Sequence, residues 1–166
     1  MRLHGNTHYI KPLSLYELES LIECLESNEE FELGHFRVTD FSNELIKALN
    51  ETFLPAVKKH KHQYIFHTIW LLTNMQTMII EGFISFQLSG VSKKELEISY
   101  LAFDQKAENS LIKDTLESVL RWIKQERSIT GIYFYGDESE AIDNMIQTHG
   151  FRALHRSLHM NGLNKS

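Results

Sequence analysis

The stretch best suited to chemistry is DQKAENSLIKDTLESVL, from Asp104 to Leu120. An apolar run, ELEISYLAF, precedes it and a helical pattern follows. Strand, short loop and helix start is the plan of many phosphate cradles, in which the first N–H groups of the helix and its dipole face the anion. Such cradles use glycine because a Cβ blocks close approach or the required backbone angles, and this one has none. Glu108 would set a carboxylate against the phosphate. At ~4 Å and an effective dielectric of about 20 one such pair is worth roughly 4 kcal/mol before screening, or about three decades of affinity. Lys106 offsets part of this if it turns inward. Asn109 or Ser110 can cap the helix with a side chain, which occupies N–H groups a phosphate would otherwise use.

Other reactive residue types are spaced less favourably. His155 and His159 would share a face on a helix, but their region reads as strand. There, four residues span ~13 Å, too far for one metal. His60 and His62 share a strand face at best, with no carboxylate or Cys nearby in sequence. No metal site is expected. Cys24 is the only cysteine, so no intramolecular disulfide forms. It lies within an apolar helical pattern, with no adjacent basic residue to lower its pKa, and reads as core.

Composition limits the rest. At 166 residues the chain fits one domain, 1–166, large enough for a real core. A net charge of −5 gives no whole-chain attraction for nucleic acid. The one basic run, KKHKH from Lys58 to His62, reads as a solvated helix end, where cations suit the dipole. The N-terminus lacks the long apolar stretch of a signal peptide, and no run approaches the ~18 apolar residues of a spanning helix. The expectation is a cytoplasmic protein with neither a nucleic-acid nor a membrane partner.

The elements that must position the cradle follow from periodicity. HYIKPL is a first strand ending at Pro12. SLYELESLIECLES is a helix opened by a Ser14–Glu17 capping box. NEEFELGHFRVTD is irregular, and SNELIKALNETFLPAVKKH is a second helix that Pro55 kinks or restarts. YIFHTIWLL and MIIEGFISFQL read as strands of a hairpin, with Tyr64, Phe66 and Trp70 on one buried face and Gly82 at a bulge or close approach. ELEISYLAF is a fourth strand, Ser110 to Gln125 a helix, and GIYFYG a short buried strand. DESEAIDNMIQTHG is a helix started by Asp137 with Glu140 and ended by Gly150 in the left-handed C′ position. FRALHRSLHM supplies one or two terminal strands. The class is mixed α/β, a meander feeding a crossover helix into a parallel neighbour.

This order resembles the GNAT superfamily of acetyl-CoA-dependent N-acyltransferases, and within it the branch of ribosomal-protein N-terminal acetyltransferases. TIWLL…MIIEGFISF resembles that branch's Trp-bearing strand followed by a VIGxIxF strand. ELEISY resembles its xxEIGY strand, and Gly150–Phe151 after an amphipathic helix resembles its LEKxGF ending. The resemblance implies a GNAT-like fold, a twisted mixed sheet split after the fourth strand with helices on both faces. It further implies that the coenzyme enters the split between strands ending near Phe103 and Tyr135. Its pantetheine arm would pair with backbone at Leu101, Ala102 and Phe103, and its pyrophosphate would meet Lys106, Ala107, Glu108, Asn109, Ser110, Leu111 and Ile112. The superfamily's loop motif, Arg/Gln-x-x-Gly-x-Gly/Ala, falls on Ala107, Ser110 and Ile112, or after sliding two residues on Gln105, Glu108 and Ser110. Its glycines are missing in both alignments.

Amine acetylation needs a base for the ammonium proton and an acid for the thiolate. By resemblance Glu97 is the base, against the reading of an ordinary charged strand residue. Tyr135 or Tyr133 is the acid, against the preference of aromatic residues for strands. His67 is a further base candidate beside Thr68. Ser139 takes a position where the superfamily often has a coenzyme-contacting side chain, and Ile142 departs from the next. Two functions from different classes follow. One is transfer of an acyl group from acetyl-CoA to an amine, whether of a peptide N-terminus or a small molecule such as a polyamine. The other is a catalytically silent binding or structural module on the same scaffold, for which the degenerate coenzyme-binding loop argues.

Overall fold

The computed structural model describes residues 1–89, 93–104, 108–126, 128–136 and 139–155, with Val38 and residues 108–110 described in backbone only. A hairpin opens the chain, β1 (Leu3–His4) and β2 (His8–Pro12). A two-residue strand is too short to carry a period, so β1 has no signature in the sequence. Ser14 then caps helix α1 (Leu15–Ser27) with the expected reciprocal box. Ser14 Oγ accepts from Glu17 N at 3.2 Å, and Glu17 Oε1 accepts from Ser14 N at 3.0 Å. Lys11 Nζ donates to the same carboxylate at 2.9 Å. Burial pushes the Glu17 pKa up, but the donors from Lys11 and Ser14 outweigh it and hold the carboxyl below its ordinary value.

The second helical run is α2 (Asn43–Ala48), a π turn (Leu49–Phe53) and α3 (Leu54–Lys59). The expected break at Pro55 takes the form of that wide turn. Proline has no N–H to give and its ring would strike the carbonyl one turn back, so the preceding turn opens to make room.

The next segment differs from the reading as one continuous strand. Lys61–Phe66 is 3₁₀, and β3 (Ile69–Asn74) starts only after it. Tertiary contacts override the β-propensity of these aromatics. Trp70 Nε1 donates to Ile65 O at 2.7 Å, and the Phe66 ring stacks on Trp122 at 5.4 Å. Phe66 and Trp70 are both buried, but Tyr64 and Phe66 share no strand face with Trp70.

Strands β4 (Ile80–Ser89) and β5 (Glu95–Ala102) complete the meander. Gly82 has both expected roles. Leu72 pairs with Gly82 but Thr73 with Ile80, leaving Glu81 as the extra residue of a bulge. A Cβ on Gly82 would also lie 2.3 Å from the Leu101 carbonyl oxygen.

Helix α4 (Glu108–Glu126) crosses to β6 (Gly131–Tyr135), and α5 (Glu140–Thr148) leads to β7 (Arg152–Leu154). The cap of α5 is Ser139, whose Oγ accepts from Ile142 N at 3.2 Å. Asp137, expected there, lies outside the described residues. Gly150 does end α5 in the left-handed region, at φ 91°, its N–H bonded to Gln147 O at 2.9 Å. His159 and the rest of the terminal run beyond His155 also lie outside the described residues.

Among the described residues the sheet has seven strands in sequential order, antiparallel from β1 to β5 and parallel from β5 to β7. Period-two alternation sends its apolar residues to two cores. Ile10, Trp70, Ile84, Ile98 and Phe134 meet α4 and α5 on one face. Ile69, Leu71 and Ile80 meet α1 and the α2–α3 run on the other. This is the GNAT-like acyltransferase architecture, a mixed sheet with helices on both faces.

Candidate functional site

The sheet comes apart at one place. β5 and β6 pair from Glu95–Gly131 to Ser99–Tyr135, while β5 continues against β4 as far as Ala102. Gly136 ends the contact, at φ 144°, where a Cβ would stand 2.8 Å from the Tyr100 carbonyl oxygen. Only glycine fits this close to β5 at that φ. Among the described residues no strand pairs with β5 beyond Ser99 on the edge that faces β6, and Leu101 is 44% exposed. An extended chain with polar backbone-like groups fits such an edge. Phe103 contributes less, because its N–H already donates to Glu81 O at 2.9 Å and its ring packs on Phe41 at 5.2 Å.

Beside this opening runs a polar row. Leu96, Ile98, Tyr100 and Ala102 of β5 face the α4–α5 core, so Glu97, Ser99 and Leu101 face the opposite way. Ile132 and Phe134 likewise leave Tyr133 and Tyr135 on that opposite face. Register sets Glu97 between Gln87 and Tyr133, and Ser99 between Ser85 and Tyr135. Ser85, Gln87 and Ser99 line a cleft of about 620 Å³, roofed by Thr52 and Phe53 of the π turn, Ala56 of α3 and His67. Carboxylate, hydroxyl, amide and phenol on one sheet face can accept and donate protons and orient a polar ligand. His67 reaches the cleft from the turn before β3, not from a hairpin strand as expected.

Ser139 stands apart from this row, at the start of α5, with its hydroxyl accepting the capping bond. Ile142 is buried in the core. Of the residues expected around a phosphate, Lys106 and Ala107 lie outside the described residues, as does Gln105. Glu108, Asn109 and Ser110 form the first turn of α4. The side chains of Leu111 and Ile112 are buried, so only their backbone can meet a ligand.

What holds the start of α4 escaped sequence reasoning. Asp114 Oδ2 accepts from Thr7 N at 3.0 Å, His8 N at 2.8 Å and Thr7 Oγ1 at 2.9 Å, and Oδ1 accepts from Asn6 N at 2.5 Å. Burial pushes the Asp114 pKa up, but the donors from Thr7, Asn6 and His8 outweigh it and keep the carboxyl below its ordinary value. The His8 ring then bridges to the β4 bulge, Nε2 to Glu81 Oε2 at 2.6 Å. Gly5 lets the hairpin approach, since a Cβ there would lie 2.3 Å from the Asp114 carbonyl oxygen. No local pattern signals this, because the partners are more than a hundred residues apart. The polar row did have a signal: Ser85 and Gln87 alternate with Ile84 and Phe86 along β4.

A second cleft, of about 390 Å³, lies at the far end of β5, lined by His35, Phe36, Arg37, Glu81 and Phe103 among others. Burial raises the Cys24 pKa, as suits a core thiol. His155 pairs with Asp143 at 3.1 Å. Among the described residues no group of three or more His, Cys, Asp or Glu side chains is placed to hold a metal, and no helix is long and apolar enough to cross a membrane.

By sequence the chain matches no family profile and no curated protein. Its structure is similar to solved acetyltransferases at low identity. One is a GNAT-family acetyltransferase described as putative, from Bordetella pertussis (TM-score 0.57, 12% identity, covering 96% of this chain and 94% of that one). Another is a ribosomal-protein-S5-alanine acetyltransferase from Vibrio fischeri (TM-score 0.56, 10% identity, 90% and 82%). A third is a ribosomal L7/L12 alpha-N-protein acetyltransferase in complex with coenzyme A (TM-score 0.53, 10% identity, 90% and 82%). The likeness is one of fold.

Proposed function

We propose that this protein is an N-acyltransferase that moves an acetyl group from acetyl-CoA to the amine of a peptide or protein. The observation that carries the reading is the parting of β5 and β6 at Gly136 directly beside the Glu97–Ser99 polar row. Solved proteins of this fold include one in complex with coenzyme A and others described as acting on ribosomal proteins. Acetyl-CoA supplies an activated thioester.

The chain's own residues would do the rest. The open edge at Leu101 and Ala102 binds the pantetheine arm through backbone groups. The first turns of α4 would turn N–H groups of residues 108–112 toward the phosphates. Backbone donors survive the loss of glycine side-chain space, and Asp114 keeps the helix in place. Glu97 takes the proton from the incoming ammonium, directly or through a water. Tyr135, or Tyr133, holds a proton for the departing sulfur. Ser139, at the start of α5, would add a hydroxyl to orient the coenzyme.

Calorimetric titration with acetyl-CoA, with free coenzyme A in parallel, tests binding. Micromolar affinity supports the reading. No heat and no thermal shift at millimolar ligand would mean the cradle is closed and the protein is a non-enzymatic module. Once an acceptor is in hand, Glu97→Gln should lower turnover by about 10²–10⁴ with coenzyme affinity unchanged. Equal turnover would remove Glu97 from the mechanism.

A further inference from the structure

KKHKH, Lys58 to His62, is a concentrated positive segment in a chain of net charge −5. It lies beside the polar cleft. Lys58 and Lys59 end α3, whose Ala56 is part of the roof. His60 closes that helix and stacks its ring on His67, centroids 4.0 Å apart, and His67 lines the cleft. Lys59, His60, Lys61 and His62 line a separate depression of about 230 Å³. Lys93 lines the cleft from the turn before β5. Among the described residues, none of Lys58, Lys59, Lys61 and Lys93 is in an ion pair, in contrast to Lys11 with Glu17.

The dipole of α3 accounts for cations in its last turn. It does not account for Lys61 in the 3₁₀ segment beyond, nor for Lys93 on the opposite side of the cleft. Uncompensated cations from separate elements beside one cleft indicate an anionic partner.

We infer that the acceptor is a polypeptide N-terminus followed by acidic residues. This rests on the N-acyltransferase reading and names the substrate class of the same cleft. Both signs of charge are present. Glu97, paired in register with Gln87 of the cleft floor, is an anion suited to an ammonium. The lysines suit the carboxylates of the residues that follow. A nucleic acid would meet the same lysines, but it has no ammonium for Glu97, which repels its phosphates.

The test uses the whole chain and three fluorescent peptides with free N-termini, identical except for Glu, Gln or Lys after the first residue. Anisotropy is read at low and high salt, and acetylation by mass spectrometry with acetyl-CoA. The Glu peptide should bind about tenfold more tightly than the Gln peptide, the sum of a few exposed charge pairs. The advantage should shrink as salt rises. The triple variant Lys58→Glu, Lys59→Glu, Lys61→Glu should abolish it, and Lys61→Glu alone should cost roughly threefold. These side chains are exposed, and a thermal melt checks that the variants fold. Equal affinity for Glu and Gln peptides, an unchanged preference in the triple variant, or a short RNA binding more tightly than the Glu peptide each overturns the inference. Acetylation of all three peptides alike also overturns it and leaves the enzymatic reading standing. A salt-sensitive preference for the Glu peptide with transfer to none overturns the enzymatic reading and leaves a docking surface for acidic chains.

Discussion

Asp114→Asn is the substitution that most directly probes how the start of α4 is held. The native carboxylate takes hydrogen bonds from three backbone N–H groups and one hydroxyl of the β1–β2 hairpin, and its side chain is only 9% exposed. The carboxamide keeps one oxygen, which at the Oδ2 position still serves Thr7 and His8, and turns its NH₂ on Asn6 N, so at least one backbone N–H loses its acceptor. An unsatisfied donor costs about 1–3 kcal/mol when buried and less where water reaches it, as at exposed Asn6 and Thr7, which sets the expected loss at about 1 kcal/mol, or a Tm lower by roughly 2–4 °C. Urea unfolding of both proteins measures it. The pH dependence separates charge from shape. The folded pKa of Asp114 lies below its unfolded value of 3.8. A depressed carboxyl contributes stability above the unfolded pKa and loses it as pH falls through the folded one. The gap between wild type and variant should therefore be constant across neutral and mildly acidic pH and narrow only below about pH 4. A gap under about 0.5 kcal/mol would refute the anchoring role. A gap that instead narrows near neutrality would refute the carboxylate as its source.

Two further substitutions test the frame of the site. Gly136→Ala forces a side chain into φ 144° and against the Tyr100 carbonyl. It should cost about 2 kcal/mol in denaturant unfolding and weaken acetyl-CoA binding in calorimetry, and an unchanged protein would show that the strands part elsewhere. Ser14→Ala removes the α1 cap and should cost about 1 kcal/mol with no effect on ligand binding, so an effect on binding would tie α1 to the cleft.

The site was only half legible in the sequence. Glu97, Tyr133 and Tyr135 were picked out, and the structure sets them on one sheet face, because period-two alternation is a property of any strand. Ser85, Gln87 and Ser99 obey the same alternation, but nothing in their own segments says which face a helix covers. No local pattern shows that the Phe103 N–H donates to Glu81 O, because the register shift at Glu81 is set by pairing with β3.

What the sequence determined alone is what a residue settles with neighbours a turn away. The Ser14–Glu17 box, the left-handed Gly150 and the apolar faces of the helices are of this kind, since donor and acceptor lie within four residues and no fold is needed to bring them together. Tertiary structure alone decided the rest. The aromatic run before β3 became 3₁₀ because Trp122 and Trp70 gave Phe66 and Ile65 better partners than a strand would. The turn before Pro55 became a π turn that roofs a cleft, and Gly136 became the point beyond which β5 and β6 no longer pair among the described residues. Asp114 found its donors at residues 6–8. Packing places such groups together whatever their separation along the chain, so no local period can announce them.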